Sequence, residues 1–418
     1  MTATTEPDAT LNGATGQNAD VERVLTDLAA RLDTDAETNV GFPATLALDY
    51  GRLLPFFNRF INNLGDPFAE SAYPRHTKHL EREVLGWFAA LLRAPAGWWG
   101  VTTAGGTEGI EYGLVHARTR YPDALVIHSA AAHYSAAKVS RHLNLPAIAV
   151  RANRRGELDF ADLRDVIRAH RHRPLIIVAT IGTTMTEAVD QVSDIRAALA
   201  DHAVTRAWVH ADAALSGLPL AVLPPGSRPS FDLADGADSI SISAHKFLGL
   251  PFPAGVYLTS HGPGGSSTVD YIATVDSTLA GSRNGHAPLL IWYAINTVGL
   301  DGLRARAHES WRVAAYTVQR LQGIGWNAWR HPHAMTVVLD TPPADIATRW
   351  RLASSNGQSH IITVPGVTTS HIERLASELE PHVPPRTATT AIPVGAVPTP
   401  RTPTYHEADH REDHDARH

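Results

Sequence analysis

Ser239-Ile-Ser-Ile-Ser-Ala-His-Lys246 is the stretch that decides the fold of this chain. Its alternation of small polar and apolar residues is typical of a buried strand. Lys246 follows that strand just ahead of Gly249, Pro251 and Pro253, which favour a loop. A lysine among small residues, where a strand meets a loop, is poorly explained as a solubilising charge. We interpret it as an amine presented to a carbonyl group, which is the chemistry of a Schiff base.

The length and composition indicate a globular protein with two domains. At 418 residues the chain suits a large domain and a smaller one, and 44% hydrophobic with 19% charged residues is an ordinary globular composition. The formal net charge of −6 predicts no nucleic-acid or membrane partner. The absence of cysteine excludes disulfides and thiolate metal sites and fits a cytoplasmic location. We find no run of about 18 apolar residues and no secretion signal in residues 1–20.

Shifts in composition divide the chain into segments. Residues 1–20 and 384–418 lack apolar periodicity, and we expect both to be disordered because they bury too little apolar surface to offset their ordering entropy. The C-terminal segment could instead bind a metal, but a solvated tail is favoured and we predict no metal site. Its spaced histidines are His406, His410, His414 and His418. The ordered segments between are 21–74, 75–300 and 301–383.

The ordered part alternates between strand and helix patterns. Helical periodicity covers Leu80–Leu92, Tyr134–Leu143 and Phe160–His170. Strands that alternate with helices indicate an α/β fold with a mostly parallel sheet covered on both faces, and ligands of such sheets bind at the carboxyl ends of the strands. The predicted strands are Ala124–His128, Pro146–Val150, Leu175–Ala179, Ala207–His210, Ser239–Ser243 and Gly255–Thr259.

A glycine-rich loop, Thr102–Gly109, precedes the predicted helix Ile110–Thr119. Gly105 and Gly106 let the backbone approach an anion, the helix N-terminus offers free N–H groups, and Thr107 adds a hydroxyl. A simple turn is the alternative interpretation of this segment alone. The loop does not end in Gly-Lys-Ser/Thr, so a nucleotide P-loop is not predicted.

Two further residues have the chemistry of a ring-binding site. Asp212 follows the strand Ala207–His210, where a carboxylate is costly to bury without a cationic partner, and it could hold a protonated pyridine nitrogen. Ala214 is small enough for a ring to lie beside it. His133, among small residues, could stack on such a ring. Taken singly, Asp212 could equally cap a turn, and His133 could be a structural histidine.

The order of these elements favours one cofactor. A glycine loop, a histidine, an aspartate and Lys246 follow successive strands, and together they predict a pyridoxal phosphate enzyme in which Lys246 forms the Schiff base. Ser243 and His245, on the same turn as Lys246, could donate to the phosphate or to the carboxylate of a substrate.

With those residues in place, the chain resembles the group II pyridoxal-dependent amino-acid decarboxylases, in the branch of bacterial histidine decarboxylases and plant serine decarboxylases. The resemblance runs from about Val40 to Leu379. It is carried by Asn62–Phe68, Gly105–Gly109, His133-Tyr-Ser, Ile181–Thr184, His210–Gly217, Ser239–Lys246 and Gly281–His286.

The resemblance implies the aspartate-aminotransferase-like fold, called fold type I, with a large domain (75–300) and a small C-terminal α+β domain (301–383). It also implies a homodimer or a dimer-based oligomer, in which the segment 21–74 packs on the partner subunit. By this resemblance Gly105, Gly106, Thr107 and Ser243 serve the phosphate, with Ser282 from the neighbouring subunit. Thr183 and Thr184 line the cofactor loop, and Phe42 and Asn63 contact substrate. Tyr271 is the candidate that protonates the carbanion, with a surface or packing tyrosine as the alternative.

The implied reaction is decarboxylation of an L-amino acid to its amine, with histidine as the expected substrate. Serine or a small aliphatic amino acid stays open, as does another fold type I reaction such as transamination. Three residues depart from the family pattern: Ala104 stands where asparagine is common, Glu187 where glycine is frequent, and Phe42 where many relatives have tyrosine. Losing that tyrosine hydroxyl should weaken selection for a polar side chain.

Overall fold

The computed structural model describes residues 17–45 and 47–382. Its helices are α1 Gln17–Ala36, α2 Leu54–Phe57, α3 Lys78–Leu91, α4 Gly106–Arg120, α5 Ser135–His142, α6 Phe160–His170, α7 Val192–Asp201, α8 Gly217–Ala221, α9 His286–Gly323, α10 Ala344–Arg349 and α11 Thr369–Leu379. None of these helices is long and apolar enough to cross a membrane.

The central sheet has seven strands in the order β1-β7-β6-β5-β4-β2-β3. Six strands run parallel and β7 runs antiparallel to both of its neighbours. Strands β1, β4, β6 and β7 are buried along their whole length, as expected for a sheet covered by helices on both faces. The seven strands are β1 Trp99–Thr103, β2 Leu125–Ser129, β3 Ala147–Val150, β4 Leu175–Thr180, β5 Ala207–Asp212, β6 Ser239–Ser243 and β7 Gly255–Thr259.

The sequence-based elements lie close to the observed ones, with two differences that affect the site. Helix α4 begins at Gly106 rather than Ile110, so the glycine-rich segment forms the first turn of the helix itself. Strand β5 extends to Asp212, which is therefore the last residue of the strand rather than a residue beyond it.

Helix α4 lies unusually close to the sheet. A Cβ atom added to Gly113 would stand 2.4 Å from Nδ1 of His210, and one added to Gly109 would stand 2.5 Å from Cβ of Ser241. Only glycine allows this approach, because real Cβ atoms do not come so near to other heavy atoms. The close packing places the N-terminus of α4 at the carboxyl ends of β5 and β6.

The C-terminal part forms a second, smaller core around a four-stranded antiparallel sheet in the order β10-β11-β13-β12. The N-terminal segment joins this core through Val40, which is buried there and whose carbonyl accepts a hydrogen bond from the Ile362 amide. Helix α9 breaks at Gly299, next to the predicted domain boundary at residue 300. The four strands are β10 Ala328–Trp329, β11 Thr336–Asp340, β12 Ser354–Ser355 and β13 Gln358–Ile362.

Two remaining features are the ends of the described chain and a short two-stranded sheet. Helix α1 begins at Gln17, so residues 17–20 are helical where the sequence predicted disorder. The predicted disorder of residues 1–16 and the histidines of the 384–418 tail lie outside the described residues. A two-stranded antiparallel sheet follows β7 and consists of β8 Ser267–Val269 and β9 Thr274–Asp276.

Candidate active site

A cavity of about 750 Å³ opens at the carboxyl ends of the central strands. One side, which we call the cavity floor, consists of Asp212, Ala214, Leu215, Ser243, His245 and Lys246. A second group of lining residues, which we call the outer wall, comes from the N-terminal segment and the small domain and consists of Gly41, Phe42, Pro43, Ala353, His360 and Ile362. The remaining lining includes Gly105, Gly106, Thr107, Glu108, Glu111, His133, Ser135, Gly182 and Thr184.

The start of α4 forms a cradle of the kind that binds a phosphate. Gly105 has a φ of 141°, a conformation that favours glycine. A Cβ added to Gly106 would lie 2.8 Å from Oγ of Ser243 and 3.3 Å from Cβ of Ala214. Backbone N–H groups at the start of this 15-residue helix, with the hydroxyls of Ser243 and Thr107 among the lining groups, suit an anion.

Lys246 and Asp212 share the cavity floor. Burial is the largest influence on both groups: it lowers the pKa of the Lys246 amine, and it raises the pKa of the Asp212 carboxyl. The charge of each group partly offsets the effect of burial on the pKa of the other, and the charge of Glu187 also raises the pKa of Lys246. The amine is therefore more often neutral, and hence nucleophilic, than an exposed lysine.

Asp212 also has an unused acceptor. Its Oδ1 atom is buried and has no hydrogen-bond partner in the described part of the chain. A buried oxygen without a partner is costly, and the protonated nitrogen of a pyridine ring is the kind of donor that would satisfy it. The residues present therefore fit pyridoxal phosphate.

His133 lies half-buried on the cavity wall, and its ring is held by a hydrogen bond to Ser135. Its Nδ1 is 2.6 Å from Oγ of Ser135, which sits in the first turn of α5. Burial, followed by the charge of Lys246, lowers the pKa of the imidazole. A neutral ring in a fixed orientation is suited to lie against another ring. Ser135 was not predicted, although its position two residues after His133 is the signal that could have revealed it.

The His245 ring is oriented by contacts with the backbone of Ala254. Its Nδ1 lies 3.0 Å from the carbonyl oxygen and 3.2 Å from the amide nitrogen of Ala254. A Cβ on Gly105 would lie 3.5 Å from Cε1 of His245, so this ring borders the phosphate cradle.

The two adjacent threonines of the turn after β4 differ in their contacts, and the predicted role of Thr183 at the cofactor stays a prediction. The Thr183 side chain is buried and closes the turn, because its Oγ1 lies 2.9 Å from Oγ1 of Thr186 and accepts from the amide of Ala188. Thr184 lines the cavity instead, together with Gly182. The spacing of the motif alone does not show which of two adjacent threonines faces inward.

Glu187, one of the departures from the family pattern, is buried in a left-handed conformation with φ 58°. Its Oε1 accepts from the Ser216 hydroxyl at 2.9 Å, and its Oε2 accepts from the Thr336 amide of β11 at 2.7 Å. The carboxylate therefore joins the large domain to the small one, although burial raises its pKa.

Asn63 is not among the residues that line this cavity, and its predicted contact with substrate stays a prediction. Its amide nitrogen donates to Glu81 at 2.8 Å, and its oxygen accepts from the Thr77 amide at 2.8 Å. Glu81 in turn is buried and paired with Arg283, which lowers its pKa despite the burial. Asn63 belongs to this buried polar network, which holds the N-terminal segment against the large domain.

Tyr271 and Ser282 lie outside the cavity of their own chain. Tyr271 is 85% exposed in a single turn between β8 and β9. Ser282 is exposed and accepts a hydrogen bond from the Asn62 side chain at 3.0 Å. The predicted role of Tyr271 in catalysis stays a prediction. So does the predicted contribution of Ser282 to the site of a partner subunit.

Several lining residues were not found from the sequence. They include Gly41, Pro43, Glu108, Glu111, Ala353, His360 and Ile362. Glu108 is adjacent to the glycine loop and accepts from the Ala104 amide, so the motif itself could have indicated it. Of the outer wall, only Phe42 was expected, whereas Ala353, His360 and Ile362 lie far from every motif in the sequence and only the fold brings them to the site.

Comparison with known proteins decides the family. The sequence-family model described as "Pyridoxal-dependent decarboxylase conserved domain" matches residues 56–325 of the chain. The chain belongs to this family. It is 42% identical over 339 residues to a histidine decarboxylase from Mesorhizobium japonicum, covering 80% of this chain and 91% of that protein. It is 35% identical over 379 residues to serine decarboxylase 2 of Oryza sativa subsp. japonica, covering 90% and 81%.

Solved structures agree on the fold. The L-methionine decarboxylase from Streptomyces sp. 590 superposes with a TM-score of 0.79, covering 91% of this chain and 98% of that one at 23% identity. The predicted α/β fold of type I is confirmed. The chain is a pyridoxal-phosphate-dependent carboxy-lyase, as the sequence predicted.

Proposed function

We propose that this decarboxylase converts L-histidine to histamine and CO2 with pyridoxal phosphate bound in the cavity. The observation that carries the proposal is the cavity floor, where Lys246 lies with the unpartnered Oδ1 of Asp212. The similarity to histidine decarboxylases from Mesorhizobium japonicum and Vibrio anguillarum, at 42% and 39% identity, supports the choice of substrate.

Each cofactor group has residues suited to it. The backbone of Gly105 and Gly106, with Ser243 and Thr107, would hold the phosphate, and Lys246 would anchor the cofactor through Nζ. His133 and Ala214 would lie on either side of the ring. The bound cofactor supplies the electron sink for the pair released when the Cα–carboxylate bond of the substrate breaks.

Asp212 and Lys246 hold protons at defined atoms. With the cofactor bound, the Asp212 carboxylate would stabilise a proton on the pyridine nitrogen, and its burial would strengthen this interaction. The lowered pKa of Lys246 leaves its amine free to bond to a carbonyl. Exclusion of water from the cavity when substrate is bound would favour departure of a carboxylate as neutral CO2.

The polar groups of the cavity favour a basic side chain. Its lining includes the carboxyl groups of Glu108 and Glu111 as well as the apolar Phe42, Pro43 and Ile362. A carboxylate among apolar groups is suited to an imidazole N–H, and less to an aliphatic side chain. No arginine is found among the described lining residues, so an acidic amino acid would lack a counter-ion for its second carboxylate.

Serine is the second candidate, because the rice serine decarboxylase matches 90% of this chain. To decide, the purified protein is loaded with pyridoxal phosphate and incubated separately with each of the twenty amino acids. We expect histamine, identified by mass, and no product from Lys246→Ala. Ethanolamine as the main product would replace histidine by serine. A keto acid in place of an amine would indicate transamination.

We also propose that the enzyme is a cytoplasmic homodimer that shares its sites between subunits. Exposed apolar side chains in the 21–74 segment support an interface there; they include Val24, Leu25, Leu54, Phe57 and Phe60. Light scattering after gel filtration measures the mass.

Shared sites predict complementation between inactive variants. If Ser282 serves the site of its partner, Lys246→Ala and Ser282→Trp are each inactive, but mixed subunits regain about a quarter of the wild-type activity, because half of the dimers are hybrids with one intact site. No recovery after verified subunit exchange would contradict a shared site.

A further inference from the structure

His360 lies where three parts of the chain meet. It belongs to β13 of the small domain, is only 2% exposed and contributes to the outer wall of the cavity. Its Nε2 is 3.0 Å from the carbonyl oxygen of Gly41, in the N-terminal segment. Its Nδ1 is 3.2 Å from the carbonyl oxygen of Met185, in the turn after β4.

Two backbone contacts lie on either side of the Gly41 carbonyl, but neither involves the carbonyl itself. The Val40 carbonyl accepts from the Ile362 amide, and a Cβ on Gly41 would stand 1.9 Å from the carbonyl oxygen of Arg351. The backbone amide of His360 is engaged with the Ala353 carbonyl at 3.3 Å, so the His360 side chain is what holds the Gly41 carbonyl. Beyond Gly41 the chain continues directly into Phe42 and Pro43 of the outer wall.

A neutral imidazole carries one N–H and can donate to only one of the two carbonyls. Burial lowers the pKa of His360, although both carbonyls oppose this effect, so a single proton on the ring is favoured. The Gly41 contact is the shorter of the two, and the Gly41 carbonyl accepts no other hydrogen bond in the described part of the chain.

We propose that His360 is a positioning residue whose Nε2–H holds the Gly41 carbonyl and thereby sets Phe42 and Pro43 against the substrate side chain. His360 does not need to touch substrate for this role. Because the wall contacts a part of the substrate that does not react, its position affects substrate and transition state alike, and therefore KM rather than kcat. The kinetic part of the proposal rests on the proposed function.

Two substitutions separate the contacts of the ring. The amide nitrogen of Gln reaches about as far as Nε2 of histidine, whereas that of Asn reaches about as far as Nδ1. His360→Gln therefore retains a donor for Gly41, and His360→Asn retains one for Met185. With the holoenzyme and L-histidine, we expect His360→Asn to raise KM about five- to tenfold, the loss of one hydrogen bond, with kcat within about twofold. His360→Gln should stay within about twofold of wild type in both.

Hydrogen exchange provides a readout that needs no substrate. In the holoenzyme alone, the amides of residues 40–45 should exchange faster in His360→Asn than in wild type or His360→Gln. Equal effects of the two variants on KM and on exchange would overturn the proposal, as would a loss confined to kcat. If the wild type releases no histamine, the proposed function fails, and the exchange measurement still decides the role of His360.

Discussion

Acidification should destabilise this enzyme through a histidine that lies away from the cavity. His210 is completely buried in β5 beneath Gly113 of α4. Its Nδ1 lies 2.9 Å from Oγ of Ser239, and its Nε2 lies 3.3 Å from Oγ of Ser241. Among residues 17–45 and 47–382 no carboxylate compensates a charge on this ring, and burial lowers its pKa from 6.5 to about 3.

The size of the effect follows from proton linkage. The unfolded chain binds a proton at His210 with a pKa near 6.5, whereas the folded chain does so only near 3, so the stabilisation is fully present above pH 6.5 and is lost as the pH falls towards 3. Since one pKa unit corresponds to about 1.4 kcal/mol, we expect a loss of about 2 kcal/mol between pH 7 and pH 5 from this residue.

The free energy of unfolding is measured by urea titration at pH 7 and pH 5, followed by tryptophan fluorescence. His210→Gln removes the titrating ring but keeps an amide for the serine hydroxyls, so its loss between the two pH values should be smaller than that of wild type by about 2 kcal/mol. His172→Gln, which removes an exposed imidazole, is the matched control and should behave like wild type.

His116, a second buried histidine, provides an independent test if His210→Gln fails to fold. The pKa of His116 is lowered to about 4, again mainly by burial, so His116→Gln should also reduce the loss by about 2 kcal/mol at pH 5. If both folded variants lose as much stability as wild type, the buried rings do not titrate as described and the reasoning is refuted.

Three further changes probe the site. Asp212→Asn should lower kcat by about 10²- to 10³-fold, because an amide does not stabilise a protonated ring, while the visible absorbance of the bound cofactor persists; unchanged turnover would contradict its role. Gly106→Val should raise the Kd for pyridoxal phosphate at least about tenfold, since its Cβ would lie 2.8 Å from Ser243 Oγ, and equilibrium dialysis measures this. Glu187→Gly relieves the left-handed strain but removes two hydrogen bonds between domains, so urea unfolding should show a net loss of about 2 kcal/mol; a gain would show that strain dominates.

The floor of the site could be predicted because it depends on local pattern. Asp212 and Lys246 each follow a recognisable strand, and parallel strands bring their carboxyl ends to one edge. The glycine loop was recognised for the same reason, although the helix begins four residues earlier than its apolar pattern indicates. In these cases the chemistry stands next to the element that positions it.

Side-chain direction within a motif was less predictable. Thr183 and Asn63 were expected at the site, but neither lines the cavity, and their side chains are hydrogen-bonded to Ala188 and Glu81. Which of several adjacent polar residues points inward depends on hydrogen-bond partners from elsewhere, such as Glu81 in α3 for Asn63.

By itself the sequence determined the alternating strands and helices, the order of the cofactor residues and the lysine at the end of Ser239–Lys246, because these follow from periodicity and from residue chemistry over a few positions. Only the tertiary structure decided which part of the small domain completes the outer wall around Phe42, where His360 meets Gly41 across 319 residues of separation. Such contacts leave no local pattern, since they arise from the packing of the small domain and the N-terminal segment. They complete the cavity whose floor the sequence had already indicated.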